Sequence, residues 1–342
     1  MEAVTDVVFR HVVARAGRPD VFFTEFTNAT GWYRAGERAI GGRLVKTGDE
    51  QPIVAQLWGS NPEAMTALST HCAALGYDGI DLNMGCPDQS AVKAGGGAGM
   101  IRTPELAYEM IAAAKASGLP VSVKTRLGYS RIDEWREWLG GLLRQDIAVL
   151  TIHLRTKKEM SKVPAHVELI AEIKALRDEI APDTLLVING DVRDRAHGQE
   201  FYEQYGVDGV MIGRGVFANP FCFRDQGPSE TPLLSKHLQP EKSNDTYSKD
   251  FPREAVSKEE GVSEGSEDGG GEGRREHEEL FALLRFHLDE YDHYAAQTGR
   301  PFETLKRFFK IYIRDFAGAS ELRDKLMHCS TTDEVRVLID SF

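Results

Sequence analysis

One short stretch of the chain carries residue types suited to chemistry, a cysteine held in a polar turn. In the run from Gly79 to Met100, an apolar strand pattern ends in Asn83, Gly85, Cys86 and Pro87. Pro87 biases Cys86 toward an extended conformation, which favours an exposed thiol at the rim of a sheet. A thiol with the usual pKa of about 8.5 carries its proton at neutral pH and can donate it. A lone cysteine, by contrast, is more often a buried packing residue.

A second set of polar residues closes the apolar runs that follow one another along the chain. A single polar residue at a strand end is usually only solvated, but here almost every apolar run ends in one. Because burying so many polar groups is unfavourable unless they bind something, they predict a ligand site. The residues are Glu25, Gln56, Asn83 with Cys86, Lys124 with Arg126, His153 with Arg155, Asn189 with Asp191, and Gly213 with Arg214.

These residues need a scaffold that brings the ends of many strands together. Seven buried-type strand segments alternate with helical segments, a pattern typical of parallel βα units. The carboxyl ends of parallel strands share one edge of the sheet, and the active sites of α/β barrels lie there. The predicted strands are residues 21–26, 52–59, 79–86, 121–128, 149–156, 184–192 and 209–216.

Composition restricts the class of protein. The chain has 342 residues, 41% of them hydrophobic, which suffices for one large domain and a smaller one. Its formal charge of −12 is not that of a general nucleic-acid binder, so any RNA contact must come from local basic patches. Four cysteines without a CxxC pair indicate reduced thiols and no zinc site. Without a membrane-spanning run or a visible signal peptide, we expect a cytoplasmic monomer that binds no metal and no membrane.

The stretch around Cys86 resembles the signature of the tRNA-dihydrouridine synthases, flavin enzymes that reduce uridine in tRNA. The matching residues are Asn83, Gly85, Cys86, Pro87, Lys93 and the segment from Gly95 to Gly99. The opening MEAVTDVVFR is similar to the family's opening from its Met onward, so the family's first strand would precede Met1 and is absent here. With that strand added, the resemblance implies a (β/α)8 TIM barrel. It covers residues 1–224 well and residues from 278 onward weakly.

The resemblance implies FMN as cofactor and NADPH as electron source, although the chain has no Rossmann fingerprint for NADPH. The flavin phosphate is expected on the loops after the last two strands, where such barrels bind phosphate. A lysine from the middle strands is expected beside the pyrimidine edge of the flavin. The implied FMN contacts are Met1, Gln56, Lys124, His153, Asn189, Asp191, Gly213 and Arg214.

By the same resemblance, the reaction adds hydrogen across the C5–C6 bond of uracil. Reduced FMN gives a hydride to C6, and Cys86 is the acid that gives a proton to C5. Asn83 and Arg126 are expected to hydrogen-bond the polar edge of the uracil. That base must be flipped out of the tRNA to reach the flavin.

The chain is predicted to divide into three segments. Residues 1–225 form the FMN-binding barrel, and residues 226–277 form a disordered acidic insertion rich in Ser, Glu, Gly and Pro. Residues 278–342 return to helical periodicity and correspond to the family's tRNA-binding domain. One helix is expected over 301–316, where Arg307, Lys310 and Arg314 share a face and would contact tRNA phosphates. On its own, such a stripe is more often a solvated charged face.

Two positions after the strand at 149–156 depart from the family pattern. Where the family has a Tyr that touches the uracil and then a Trp, this chain has Ser161 and His166. Lys157, Lys158 and Lys162 in the same loop could compensate through phosphate contacts. Two alternatives therefore stay open: an FMN-barrel oxidoreductase for a small pyrimidine or another small molecule, and an inactive RNA-binding protein.

Overall fold

The computed structural model describes residue 1, residues 3–224 and residues 269–342. Most of the predicted insertion, 226–277, therefore lies outside the described residues. Its last part is described, and the chain is already helical there from Gly269 onward. The predicted start of the helical domain at residue 278 thus falls inside a longer helix.

Parallel strands rich in Val, Ile and Leu form the central sheet, and most of their side chains are buried. The strands are β1 (Phe22–Phe23), β2 (Thr27–Asn28), β3 (Ile53–Trp58), β4 (Gly79–Asn83), β5 (Val121–Arg126), β6 (Val149–His153), β7 (Leu185–Asn189) and β8 (Gly209–Met211). β1 and β2 both pair with β3, and β3 to β8 then pair in chain order.

This sheet confirms the predicted α/β fold class, a parallel βα sheet of the TIM-barrel type. The strand predicted at 21–26 is shorter, because β1 covers only Phe22–Phe23; after an interruption, β2 pairs with β3 further along the chain. The interruption includes Glu25, whose buried carboxylate pairs with Arg300 of the C-terminal helices. Among the described residues β1 and β8 do not pair with each other, so the sheet is open between them.

The strand register places the predicted site residues beside one another at the carboxyl edge of the sheet. Asn83 lies opposite Lys124, and Arg126 lies opposite His153. His153 in turn lies opposite Asn189 on the next strand. Because the strands are parallel, residues at their carboxyl ends come together although they are far apart in sequence.

Helices connect the strands: α1 (Val7–Ala16), α2 (Ala29–Ala35), α3 (Pro62–Ala74), α4 (Gln89–Lys93), α5 (Pro104–Lys115), α6 (Trp135–Leu143), α7 (Ile170–Ile180), α8 (Arg195–Tyr205) and α9 (Gly215–Ala218). The helices α1, α2, α3, α4 and α8 each begin after an Asp or Asn whose side chain caps them. Asp6 caps α1 by accepting a hydrogen bond from Phe9 N at 3.0 Å. Asn61 and Asp194 cap α3 and α8 in the same way.

The C-terminal helices are α10 (Gly269–Thr298), α11 (Glu303–Lys306), α12 (Phe309–Tyr312), α13 (Ala319–His328) and α14 (Thr332–Asp340). The prediction of one helix over 301–316 is wrong, because the structure has the two short helices α11 and α12 there. A straight amphipathic helix buries one stripe and leaves the opposite face in solvent. Here the buried residues are almost continuous: Leu305, Phe308, Phe309, Ile311, Tyr312 and Ile313.

Aromatic packing joins the C-terminal helices to the rest of the chain. The Phe308 ring stacks on Phe9 of α1 with ring centroids 4.6 Å apart, and on Phe217 of α9 with centroids 5.9 Å apart. His11 Nδ1 of α1 also lies 2.5 Å from Glu290 Oε2 of α10. Burial of aromatic area is the main favourable contribution at such a junction.

No helix in the described ranges combines the length and the apolar character that crossing a membrane requires. The same residues contain no group of three or more His, Cys, Asp or Glu side chains that could hold a metal ion.

Candidate active site

A cavity of about 1510 Å³ opens at the carboxyl ends of the strands and continues along the interior of the sheet. The structure brings most of the strand-end residues predicted from the sequence to its wall, but Glu25 and Arg155 do not line it. Those lining it are Met1, Gln56, Asn83, Cys86, Lys124, Arg126, His153, Asn189, Asp191, Gly213 and Arg214. A cavity with convergent polar groups on an otherwise apolar sheet is the usual form of an active site.

Cys86 lies half-buried in a turn that its neighbours hold in place. Asn83 Oδ1 accepts hydrogen bonds from Cys86 N at 2.9 Å and from Gly85 N at 3.2 Å. Cys86 O accepts a further bond from Ala98 N at 2.9 Å. These contacts fix the backbone of the turn, and the Cys86 side chain lies at the cavity wall.

The glycine-rich segment after Cys86 packs against this turn. Gly97 has φ +54°, and a Cβ added there would lie 2.7 Å from Cys86 O. A Cβ on Gly96 would lie 2.9 Å from the Trp58 ring. Only glycine allows both the backbone conformation and the close approach at position 97. None of the residues from Gly95 to Gly99 lines the main cavity, so the segment packs against the side of the Cys86 turn that faces away from this cavity.

A buried chain of hydrogen bonds orients Asn83 from below. Asn83 Nδ2 donates to Gln56 Oε1 at 3.1 Å, and Gln56 Nε2 donates to Asp81 Oδ2 at 2.7 Å. Asp81 Oδ1 accepts from Ser122 Oγ at 2.6 Å. Burial raises the pKa of the Asp81 carboxyl. Sequence reasoning missed Asp81 and Ser122, although a polar residue inside each apolar strand was a visible signal.

Lys124 is the central cation of the cavity. Its Nζ donates to Asn189 Oδ1 at 3.2 Å, and Asn189 Nδ2 donates to Met211 O at 2.7 Å. Burial, together with the nearby charge of Arg126, lowers the pKa of Lys124 to about 8. Since its hydrogen-bond acceptor is neutral, the ammonium lacks a directly bonded counter-charge, and an anionic group in the cavity would supply one.

His153 is neutral, and its tautomer follows from a neighbour. Arg155 Nη1 lies 3.0 Å from His153 Nε2. A guanidinium has only donors, so Nε2 accepts and the ring proton is on Nδ1. Burial first, and then the charge of Lys124, lowers the pKa of His153 to about 2. His153 can therefore donate one hydrogen bond to a ligand without carrying charge.

Asp191 anchors two arginines at the end of the cavity next to β7 and β8. It accepts a hydrogen bond from Arg155 Nη2, and Arg214 Nη2 donates to its Oδ1 at 3.3 Å. Ala165 N also donates to Asp191 Oδ2, at 3.1 Å. Although burial acts the other way, the Arg155 hydrogen bond lowers the pKa of Asp191. Gly213, between these groups and Met1, leaves open space, since an added Cβ would meet no atom closer than 3.9 Å.

Arg126 joins the Cys86 turn to the loop after β6. Its Nε donates to Gly85 O at 2.7 Å, and its Nη1 donates to Met160 O at 2.9 Å and to Thr156 O at 3.2 Å. These bonds use Nε and Nη1 on backbone oxygens. Ser161, the next residue in this loop, lies at the cavity wall beside the same groups.

His166 closes the loop after β6. It is one of the two positions in this loop that depart from the family pattern. His166 Nε2 lies 3.0 Å from Glu159 Oε1, and its Nδ1 lies 3.0 Å from Glu168 Oε1. Glu159 Oε2 accepts from Thr156 N at 2.7 Å. Burial opposes it, but the two glutamates raise the pKa of His166. Glu159 was missed from the sequence, because its partners are set by the loop conformation.

The three predicted tRNA-binding residues are not at the cavity, and they do not share a helix face. Arg307 Nη1 donates to Ala3 O at 2.7 Å, and Arg314 Nη1 donates to Ala218 O. Lys310 Nζ lies 5.5 Å from the centre of the Phe217 ring. All three reach back to the barrel-type sheet domain and lie along the seam between it and the C-terminal helices.

A parallel α/β sheet with a thiol, a neutral imidazole and a cluster of cations at its carboxyl edge forms an enzyme site of the TIM-barrel type. The family model described as "Dihydrouridine synthase (Dus)" matches residues 1–252. The chain belongs to the dihydrouridine synthase family, as its motifs predicted.

Relatives from three bacteria are similar over the whole chain. The "Probable tRNA-dihydrouridine synthase 2" of Bacillus subtilis (strain 168) is 53% identical over 343 residues, covering 100% of this chain and 92% of that protein. A "Probable tRNA-dihydrouridine synthase" of Staphylococcus epidermidis (strain RP62A) and one of Staphylococcus aureus (strain COL) are each 50% identical over 343 residues. Each alignment covers 100% of this chain and 91% of the relative.

Proposed function

We propose that this chain reduces the C5–C6 double bond of uridine in tRNA, with Cys86 as the proton donor. One observation carries the proposal: a half-buried thiol, fixed by Asn83, lies in the same cavity as Lys124, His153 and Arg126. Membership of the dihydrouridine synthase family and the names of three relatives support the same reaction.

FMN is the cofactor that fits the cavity. Lys124 and Arg126 are hydrogen-bonded to neutral oxygens, so their charges remain available to an electron-rich ring or a phosphate. Gly213 leaves room beside Arg214 at the end where phosphate is expected. Reduced FMN supplies the hydride for C6 when bound, and NADPH is the reductant that the family resemblance implies. The residues that would hold FMN are Met1, Gln56, Lys124, His153, Asn189, Gly213 and Arg214, with Asp191 fixing the last of these through a salt bridge.

Cys86 donates the proton that C5 receives. The thiol S–H bond breaks, a C5–H bond forms, and the thiolate regains a proton from solvent, which reaches the half-buried side chain. Arg126, beside Cys86, stabilises the transient thiolate by its positive charge. Asn83 keeps the turn in place through the hydrogen bonds of its amide to Gln56 and Cys86. Its main role is therefore to position Cys86, and a contact with uracil is its second role.

The RNA must present a flipped base to this cavity. Because the whole chain has a formal charge of −12, local basic groups must supply the attraction for RNA. Arg307, Lys310 and Arg314 along the seam are suited to phosphate contacts. Lys158 and Lys162, exposed on the loop after β6, are suited to further phosphate contacts.

The test replaces Cys86 with Ala and measures dihydrouridine in tRNA, flavin content and NADPH oxidation. We expect full flavin content and a loss of about 100-fold or more in dihydrouridine formation, the usual contribution of a general acid. Cys329→Ala, which removes a buried thiol of the C-terminal helices, is the matched control and should keep the native rate. Native-rate turnover by Cys86→Ala would disprove the proton-donor role. A native chain that binds no flavin would favour the RNA-binding alternative.

A further inference from the structure

A second cavity adjoins the active site on the other side of Cys86. Its volume is about 580 Å³, within the range of small-molecule sites. Phe26 and Cys86 line both cavities, so the two adjoin at these side chains. We call the second cavity the side pocket; its other defining residues are Asn28, Arg43, Trp58 and Ser90. The proposed reaction gives it no role.

Two aromatic rings form the walls of the side pocket. The Phe26 and Trp58 rings meet edge to face, with centroids 6.4 Å apart and an interplanar angle of 80°. Both side chains are half-buried, so part of each ring stays accessible. Gly96 packs against Trp58 from the side of the Cys86 turn, which fixes the indole. A fixed, accessible indole is a stacking platform of the kind that holds bases of single-stranded nucleic acid.

A cation and hydrogen-bonding groups complete the lining. Arg43 Nη1 donates to Ile40 O at 2.6 Å, which fixes the guanidinium at the pocket. Asn28 and Ser90 add neutral polar groups, and the carboxylate of Asp88, which also lines the pocket, accepts from Ser90 N at 2.8 Å. Aromatic rings, one fixed guanidinium, one carboxylate and neutral polar groups together match a nucleotide, which offers a flat base with hydrogen-bond donors and an anionic phosphate.

We propose that the side pocket binds the nucleotide adjacent to the target uridine in the RNA strand. This inference rests on the proposed function and names how its substrate is held. A uridine placed against Cys86 is covalently joined to its neighbour, and the side pocket is the space next to Cys86 that the flavin cavity does not use. The side pocket thereby selects single-stranded or loop RNA, since a paired neighbour could not enter it.

The experiment compares steady-state kinetics on tRNA for Trp58→Ala, Trp58→Phe and Arg43→Ala. Loss of one stacked base typically weakens binding by about tenfold or more. We expect Trp58→Ala to raise KM for tRNA by about that factor and Trp58→Phe to restore most of it. Arg43→Ala should also raise KM and should reduce its dependence on salt, because a phosphate contact is lost. Arg144→Ala is the matched control: this exposed arginine follows α6 at the opposite end of the sheet.

A second readout separates the RNA from the reductant. The rate of flavin reduction by NADPH, measured without tRNA, should be unchanged in every variant. If that rate falls while KM for tRNA stays native, the side pocket serves the nicotinamide nucleotide and the proposal is wrong. Native KM for tRNA in both Trp58→Ala and Arg43→Ala also overturns it. Dihydrouridine formation by the native chain tests the proposed function separately, so failure of the two ideas can be told apart.

Discussion

Lys124 carries its positive charge in a buried position, which disfavours that charge, so the stability of the fold should depend on pH. Its pKa in the folded, flavin-free chain is about 8, against 10.5 in an unfolded one. Between these values the unfolded chain binds more protons, so this group makes folding stability rise with pH. Lys124→Met should remove that rise, stabilise the flavin-free protein at neutral pH and weaken FMN binding by about tenfold or more. Thermal melts across pH and flavin-fluorescence titrations measure the two effects.

The control for Lys124 is Lys158→Met, which replaces an exposed lysine. It should leave both the pH dependence of unfolding and the FMN affinity as in the native chain. A Lys124→Met protein whose stability keeps the native pH profile would mean that Lys124 is not desolvated in the folded state.

At the scale of residues, the sequence predicted the side chains that line the cavity better than the buried side chains that hold them in place. Lys124, His153 and Asn189 were predicted because the carboxyl ends of parallel strands share an edge, and all three line the cavity. Asp81 and Ser122 were not, because a polar residue in the middle of an apolar run says nothing about its partner across the sheet. Their pairing depends on register, which the sequence pattern does not give.

At the scale of elements, the glycine-rich segment is the support whose loss should disable Cys86 without emptying the cavity. A Cβ at position 97 would lie 2.7 Å from Cys86 O, at a φ of +54°. We expect Gly97→Ala to keep its flavin, to lose stability by roughly 1–2 kcal/mol from the left-handed backbone alone, and to lower kcat for dihydrouridine formation about tenfold or more by displacing the thiol.

Gly118→Ala is matched to Gly97→Ala in backbone conformation but not in contact. Gly118 has φ +75° and has nothing within 4 Å of an added Cβ. It should show only the loss of stability that comes from the left-handed backbone, with native kcat. Equal kcat in the two variants would argue that the glycine-rich segment has no part in placing Cys86.

Regular elements were predicted from periodicity, and irregular ones were not. Strands β3 to β8 follow apolar runs bounded by turns, and each lies within its predicted range. The helix expected over 301–316 failed because Phe308, Phe309 and Ile313 are buried on more than one side. Packing against other elements set the structure of this segment, and the periodicity of one segment carries no information about that packing.

At the scale of the whole molecule, a buried ion pair fastens the C-terminal helices to the sheet. Glu25 is fully buried and Arg300 is 15% exposed. Removing one partner of a buried pair typically costs about 3–5 kcal/mol. We expect Arg300→Met to lower the free energy of unfolding by about that amount and to raise KM for tRNA. Adding Glu25→Gln should restore part of the stability, because the buried carboxylate is gone. Urea unfolding and tRNA kinetics measure both.

Arg285→Met serves as the comparison, since Arg285 pairs with Asp340 at the surface, where both side chains are largely exposed. Such a pair is worth at most about 1 kcal/mol. If Arg300→Met cost no more than Arg285→Met, the buried pair would not be what holds the helices in place. A strand-end Glu25 was visible in the sequence, but its partner lies 275 residues away and no local pattern connects them.

The four cysteines differ in accessibility in a way that matters for covalent labelling. Cys72, Cys222 and Cys329 are buried, Cys86 is half-buried, and none forms a disulfide. Burial raises the pKa of Cys72 and of Cys222 to about 12, which suppresses their nucleophilic thiolate forms. We therefore expect the native chain to react with a fluorophore or crosslinker at Cys86, without replacement of its other cysteines. A weak electrophile attached to a uracil-like ring should react selectively with Cys86, because binding of the ring in the cavity would hold the electrophile next to this thiol.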